Sequence, residues 1–215
     1  MSRTESASLY AIVLAAGAAT RFGSPKQCAQ LGGVTLIQRA VTAATGAVGP
    51  SIRVVLGAHA AEIAATLDLP ADQVLINTHW AEGIASSIRL AVAHLPASCQ
   101  GALILLADQP YVTGPSLQRL ITLWRSAPDH IVASSYHAVI GAPCLFPRWC
   151  FGELSELAGD AGAQKLLARH FERVRTMLHP EAGIDIDTPA QLAEQRASTI
   201  SVPEESVLPG IKRPL

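Results

Sequence analysis

The sequence predicts an α/β fold in three layers, αβα, with a mostly parallel sheet in the middle. Apolar runs of strand length recur at residues 10–14, 52–56, 74–76, 102–107 and 131–134, with helical spacing of apolar residues between most of them. The run Ala102-Leu103-Ile104-Leu105-Leu106-Ala107 is apolar at every position, as a central strand covered on both faces is. Strands alternating with helices build parallel sheets, and ligands of such sheets sit beyond the carboxyl ends of the strands.

Composition bounds the rest. A chain of 215 residues is long enough to bury the core of one such domain and has no clear need of a second. A formal net charge of −1 with 15% charged residues argues against a nucleic-acid groove or an anionic membrane surface as partner. No apolar run approaches the ~20 residues of a membrane helix. A secretory leader fits poorly: Glu5 offsets Arg3, and Gly17 and a charged loop cut the apolar stretch short. Cys28, Cys99, Cys144 and Cys150 form no C-x-x-C pair, so they read as reduced thiols of a cytoplasmic protein rather than a zinc site or a disulfide frame.

Residues 1–8 are polar and expected to be loose. The first strand, 10–14, runs into Leu14-Ala15-Ala16-Gly17-Ala18-Ala19-Thr20-Arg21-Phe22-Gly23-Ser24-Pro25-Lys26-Gln27. Small residues let the backbone turn and approach a ligand closely, and the cations Arg21 and Lys26 follow. Strand, glycine-bearing loop and cations describe a phosphate cradle, although any βα turn also needs small residues. No Gly-Lys-Ser/Thr closes a Walker loop here, and Gly17 and Gly23 do not match G-x-G-x-x-G.

Leu36, Ile37, Ala40, Val41 and Ala44 then share one helical face, with Gly46 as the expected stop. A strand at 52–56 ends at Gly57, a short helix follows at 60–67, and a strand at 74–76 ends at Asn77. Gly83 gives a turn, and Ser86 and Ser87 fall in the first turn of a helix with Ile84, Ile88, Val92 and Leu95 inward. These serines serve either as helix caps or as ligand contacts. His79 and Trp80 read as packing or rim residues.

The run 102–107 leads straight to Asp108-Gln109-Pro110. A carboxylate at the end of a buried strand needs a partner, which a metal ion or a turn N–H would supply. Thr113, Gly114 and Pro115 resemble a helix start, with Leu117, Leu120, Ile121 and Trp124 facing inward. Gly141-Ala142-Pro143 reads as a turn, and Asp160 as a helix N-cap. In 185–192, Thr188, Pro189 and Gln191 fit a capping box, and alternation puts Asp185 and Asp187 on one side of an extended segment.

The pattern L-A-A-G-x-x-x-R-F-G-x-x-K from Leu14 to Lys26 resembles the signature of the nucleotidyltransferases that make molybdenum cofactor dinucleotides. It is most similar to the cytidylyltransferase branch of these MobA-like enzymes. Similar blocks recur at 80–92, 105–110, 141–146, 159–167 and 185–192. The resemblance implies a Rossmann-like nucleotidyltransferase domain over residues 1–197, with a polar, flexible tail at 198–215. It implies transfer of CMP from CTP to the phosphate of molybdopterin, with release of pyrophosphate and dependence on magnesium, Mg2+. Lys26, Arg21 and Asp108 would be catalytic. Leu14, Ala15, Ala16, Gly17, Arg21, Lys26, Gly83, Ser87 and Asp108 would bind the nucleotide, and Asp108 and Asp187 the metal. A molybdenum hydroxylase or its maturation chaperone would be a partner.

Ala16 stands where the related guanylyltransferases have glycine, and its methyl is expected to narrow the base slot against a purine. Three positions depart from the family pattern: Ile140 stands for an arginine, Ala142 for a histidine and Gln164 for an arginine. The same chemistry on an isoprenoid or sugar phosphate, with CTP or GTP as donor, and a non-catalytic cofactor carrier are the alternative readings.

Overall fold

The computed structural model describes residues 8–200. The chain enters the sheet with β1 (Leu9–Ala15), makes a small hairpin of β2 (Gln30–Leu31) and β3 (Val34–Thr35), and runs into α1 (Leu36–Val48). Then come β4 (Ile52–Leu56), α2 (Ala60–Ala64), β5 (Val74–Ile76), α3 (Ile84–Ala93) and β6 (Gly101–Leu106). The second half holds α4 (Gly114–Ser126), β7 (Ile131–Tyr136), β8 (Val139–Pro147), α5 (Phe151–Ser155), α6 (Gln164–Arg169), β9 (Val174–Leu178) and α7 (Pro189–Ile200).

The larger sheet has seven strands in the order β5-β4-β1-β6-β8-β7-β9. Neighbours are parallel except around β8, which runs against both β6 and β7. The expected three-layer, mostly parallel architecture is thus present. Its two cores can be read off β1 alone. Ala11, Val13 and Ala15 pack with Ile37, Ala40 and Ala44 of α1 and Leu117, Leu120 and Trp124 of α4. Ile12, Leu14 and Ala16 pack on the other face with Ala85, Ile88 and Ala91 of α3, Leu154 of α5 and Leu166 of α6. Period-two alternation divides one strand between two cores, and truncating a residue such as Ile12 to alanine costs about 2–5 kcal/mol.

Helix starts follow the sequence chemistry. Thr35 and Gln38 close a capping box on α1, Thr113 and Ser116 another on α4, and Thr188 exchanges hydrogen bonds with Gln191 at the start of α7. The expected stop at Gly46 is corrected: α1 continues to Val48 and ends at Gly49, whose φ of 68° favours glycine. Gly46 instead lies inside α1 facing Gly114 of α4, and a Cβ there would sit 3.7 Å from the Gly114 Cα, an ordinary contact distance.

Gly141-Ala142-Pro143 is also corrected. It lies within β8, and the reversal falls at His137 and Ala138, with φ of 46° and 61°. The hairpin β2–β3 was not anticipated, because two-residue strands carry no readable period. Helix α7 extends past position 198 to Ile200; the remainder of the expected tail, 201–215, and residues 1–7 lie outside the described residues.

Candidate functional site

The carboxyl ends of β1 and β6 open into a cavity of about 470 Å³. Leu14, Ala15, Ala16 and Gly17 line it from the first loop, Arg21 and Lys26 from further along, Gly83 and Ser87 from the start of α3, and Asp108 and Asp187 from the far side. Every residue expected at the site therefore faces one space. Gln27, buried beneath the loop, donates to the carbonyls of Ala15 at 3.0 Å and Gly17 at 2.9 Å. Above it, a Cβ on Gly17 would meet nothing within 4 Å, so the backbone there is open to a ligand.

Charge is concentrated at one end. Lys26 Nζ donates to Asp108 Oδ2 at 2.8 Å and to Asp187 Oδ1 at 2.6 Å, and Arg21 Nη2 donates to Asp187 Oδ2 at 3.1 Å. Asp187 reaches Asp108 because the Ile186 N–H donates to the Asp108 carbonyl at 3.0 Å and the Ile186 side chain is buried with Leu31, Leu36 and Leu192. Burial by itself would lower the Lys26 ammonium, but Asp108 and then Asp187 outweigh it and hold its pKa above the ordinary value. The hydrogen bond from Lys26 and the charges of Lys26 and Arg21 outweigh burial and keep Asp187 low. Asp185 stands apart from this pairing. Burial, and after it the nearby Asp108 charge, raises its carboxyl to about 6.

The donor set fits a hard divalent cation. Asp108 Oδ1 is buried and has no hydrogen-bond partner among the described residues. Among the described residues no group of three or more His, Cys, Asp or Glu could hold an ion. Two carboxylates completed by phosphate oxygens are an ordinary arrangement for Mg2+, which seldom sits in an all-protein cage.

A different chemistry forms the opposite wall. Asn77, Ser86 and Ser87 are buried and joined through the Asn77 amide. The capping reading of the serines does not hold, because Gly83, which has no side chain to cap with, occupies the N-cap of α3. Gly83 has a φ of 97°, and a Cβ there would lie 2.3 Å from Asp160 Oδ1, so only glycine fits. Asp160 is not the cap of α6 either; Ala163 takes that position, and Asp160 borders the cavity. Ala16 lines the cavity but is only 7% exposed, with its methyl turned toward Gly57.

A second cavity, of about 210 Å³, shares Leu14, Ile84, Leu106 and Asp160 with the first. Its other walls include Ile88, Ile104, Phe146 and Leu167, with Tyr136 and Gln164 as polar contributors and no Lys or Arg. The Gln164 amide donates to the Ile140 carbonyl at 2.9 Å. Behind this wall, Gln109 Nε2 donates to the carbonyls of Ala142 at 3.2 Å and Ala182 at 2.7 Å. Gln27, Asn77 and Gln109 were assigned no bonds from the sequence, since a buried amide leaves no periodic signal. All four cysteines are free; Cys144 lines the second cavity and is almost wholly buried.

A parallel sheet ending in a small-residue loop, two cations and two carboxylates around one cavity defines a nucleotidyltransferase architecture. The chain belongs to the MobA-like NTP transferase domain family, whose model matches residues 11–174. It is 29% identical to nicotine blue oxidoreductase of Paenarthrobacter nicotinovorans over 207 residues, 89% of this chain and 98% of that one. The crystal structure of Rv0371c from Mycobacterium tuberculosis is similar at 30% identity and a TM-score of 0.76, covering 88% of this chain and 97% of that one. A structure of Rv0371c complexed with manganese matches at 28% identity and a TM-score of 0.74, covering 88% and 98%. Among the described residues no helix is long and apolar enough to cross a membrane.

Proposed function

We propose that this chain is a cytidylyltransferase that moves CMP from CTP to the phosphate of molybdopterin and releases pyrophosphate. The observation that carries the reading is the Lys26 ammonium held between Asp108 and Asp187 at the open end of the glycine-bearing loop. Asp108 and Asp187 would hold Mg2+, which when bound neutralises charge on the phosphates. Manganese in the Rv0371c complex supports a divalent ion for that protein.

Lys26 exchanges its carboxylate partners for phosphate oxygens when the nucleotide enters, as its side chain lines the cavity that the triphosphate would fill. Arg21, whose side chain is 74% exposed, closes on the triphosphate from the rim. An oxygen of the acceptor phosphate attacks the α-phosphorus, the bond to the bridging oxygen breaks, and pyrophosphate leaves with Lys26 and Arg21 stabilising its charge. No covalent enzyme nucleophile is needed.

A second reading comes from the relative named nicotine blue oxidoreductase, aligned over 98% of its length. In that reading the same cavity serves an oxidation–reduction. Nucleotidyl transfer is preferred because it gives the two carboxylates and Lys26 a task on phosphates. Incubating the protein with single nucleoside triphosphates, a divalent metal and purified molybdopterin tests the proposal. Pyrophosphate release that needs both CTP and molybdopterin is expected. Release with an isoprenoid or sugar phosphate instead, or none with any acceptor, overturns it.

A further inference from the structure

Asn77 follows β5, is 4% exposed, and has no task in the reaction above. Its amide is fully occupied. Oδ1 accepts from the His79 backbone N–H at 2.9 Å, while Nδ2 donates to Ser86 Oγ at 2.8 Å and Ser87 Oγ at 3.0 Å. A backbone N–H can only donate, so the His79 bond fixes which end of the amide faces the serines.

The two serines then differ. Ser86 donates its hydrogen to the Gly83 carbonyl at 2.8 Å. Ser87 accepts from Asn77 and lines the first cavity, and its hydroxyl hydrogen has no acceptor among the described residues. With an amide donor behind it, that hydrogen turns toward the cavity. The other arm of Asn77 holds the turn Trp80–Glu82, which also lines the cavity. Trp80 stands so close to Gly57 that a Cβ there would lie 2.6 Å from the Trp80 Cβ. One buried amide thus ties together two parts of the same wall.

We propose that Asn77 is the positioning residue of the nucleobase subsite: it holds the Ser87 hydroxyl as a donor toward a ring acceptor of the base. The proposal rests on the nucleotidyl-transfer reading. A donor at that point matches N3 of cytosine and opposes N3–H of uracil, so the structure assigns Asn77 a part in choosing CTP over UTP.

Asn77→Asp tests it. The carboxylate still accepts from the His79 N–H but presents an acceptor to both serines, drawing the Ser87 hydrogen away from the cavity. Asn77→Ala removes both arms without burying a charge and takes over the measurement where the aspartate variant does not fold. Ser87→Ala removes the hydroxyl alone. Each variant is assayed for kcat and KM with CTP and with UTP, and for calorimetric binding of inorganic tripolyphosphate. A lost hydrogen bond of this kind is expected to lower the CTP/UTP ratio of kcat/KM about tenfold. The fall appears in KM, kcat and tripolyphosphate affinity stay at wild-type values, and the Asn77/Ser87 double variant falls no further. An unchanged ratio overturns the proposal, and so does a loss confined to kcat or to tripolyphosphate binding. Wild-type protein that uses neither nucleotide overturns the nucleotidyl-transfer reading along with it, whereas equal use of CTP and UTP overturns the role of Asn77 alone.

Discussion

The two cavities meet at Leu14 and Asp160, yet they are built in opposite ways. One gathers Arg21, Lys26, Asp108 and Asp187 at its open end, where charge decides what enters. The other offers mostly aliphatic and aromatic walls, with Tyr136, Asp160 and Gln164 as its polar side chains and no Lys or Arg, so shape weighs more than charge there. An acceptor suited to both carries its phosphate at one end and an uncharged ring system at the other. On the proposed function, the contrast would give rate to the charged cavity and acceptor choice to the apolar one, and each part of that division can be tested.

The largest effect is expected at Asp108. Asp108→Asn keeps the shape but removes a charge that would hold the metal, so turnover should fall by about two to three orders of magnitude. The melting temperature should stay close to wild type. Near-normal turnover would remove Asp108 from the charged machinery.

Lys26 comes next. Lys26→Ala should lower kcat as well as weaken binding, because the phosphates it meets gain charge as pyrophosphate leaves, and about a hundredfold loss is expected. Without the ammonium between Asp108 and Asp187, the same variant should bind Mn2+ more tightly in the absence of nucleotide, measured by titration calorimetry. A change confined to KM would make Lys26 a ground-state binder only.

The apolar cavity should respond in another parameter. Ile88→Val removes one methylene from its wall, costing about 0.5–1.5 kcal/mol of stability. The acceptor KM should rise a few-fold, about what one methylene is worth in a binding pocket, while the CTP KM stays fixed. Equal shifts in both would show that the cavities do not divide the work.

The smallest effect lies in the support behind that wall. Ser134 Oγ donates to the Pro143 carbonyl at 2.8 Å, so it accepts from His179 Nδ1–H at 2.9 Å, and His179 Nε2 is buried without a partner among the described residues. Burial, aided by Arg119 and opposed by Glu181, lowers the imidazole below its ordinary value of 6.5. The neutral form is therefore favoured in the fold. Above 6.5 neither state is protonated and nothing is lost. As pH falls from 6.5 toward the lowered value the unfolded chain takes up a proton first, and stability declines. His179→Asn, which keeps a donor toward Ser134, should show a shallower drop in melting temperature between pH 7.5 and 5.5. An identical drop would exclude His179 as its source.

Much of this was legible in the residues. Strands, most helix starts and the loop from Leu14 to Lys26 follow from local pattern, and Asp108 stood out as a charge at the end of a buried strand, whereas only the family resemblance chose Asp187 over Asp185. What sequence could not give was mutual arrangement. Lys26 sits between the two carboxylates because the Ile186 amide ties one backbone segment to another, a long-range bond with no local trace. Ala16 lines the cavity, and its contact with Gly57, far along the chain, likewise left no local trace. Gly46 was read as a stop by residue type, whereas α1 runs on through it to Val48.

The reversed direction of β8 has a consequence for how such a protein can change. Its register, Ile104 opposite Cys144, carries Gly141 and Ala142 to the same end of the sheet as Asp108. A wall that many α/β proteins build from a loop is here part of a strand, paired at this end with β7 across a register shift at Ala133/Ser134 that leaves Ala142 and Pro143 unmatched. Along the regular part of β8 an inserted residue would slip the pairing and turn the following side chains to the opposite face. At the irregularity the strand already takes up a change of length, so a descendant with a new acceptor can reshape this wall there without disturbing the rest of the sheet.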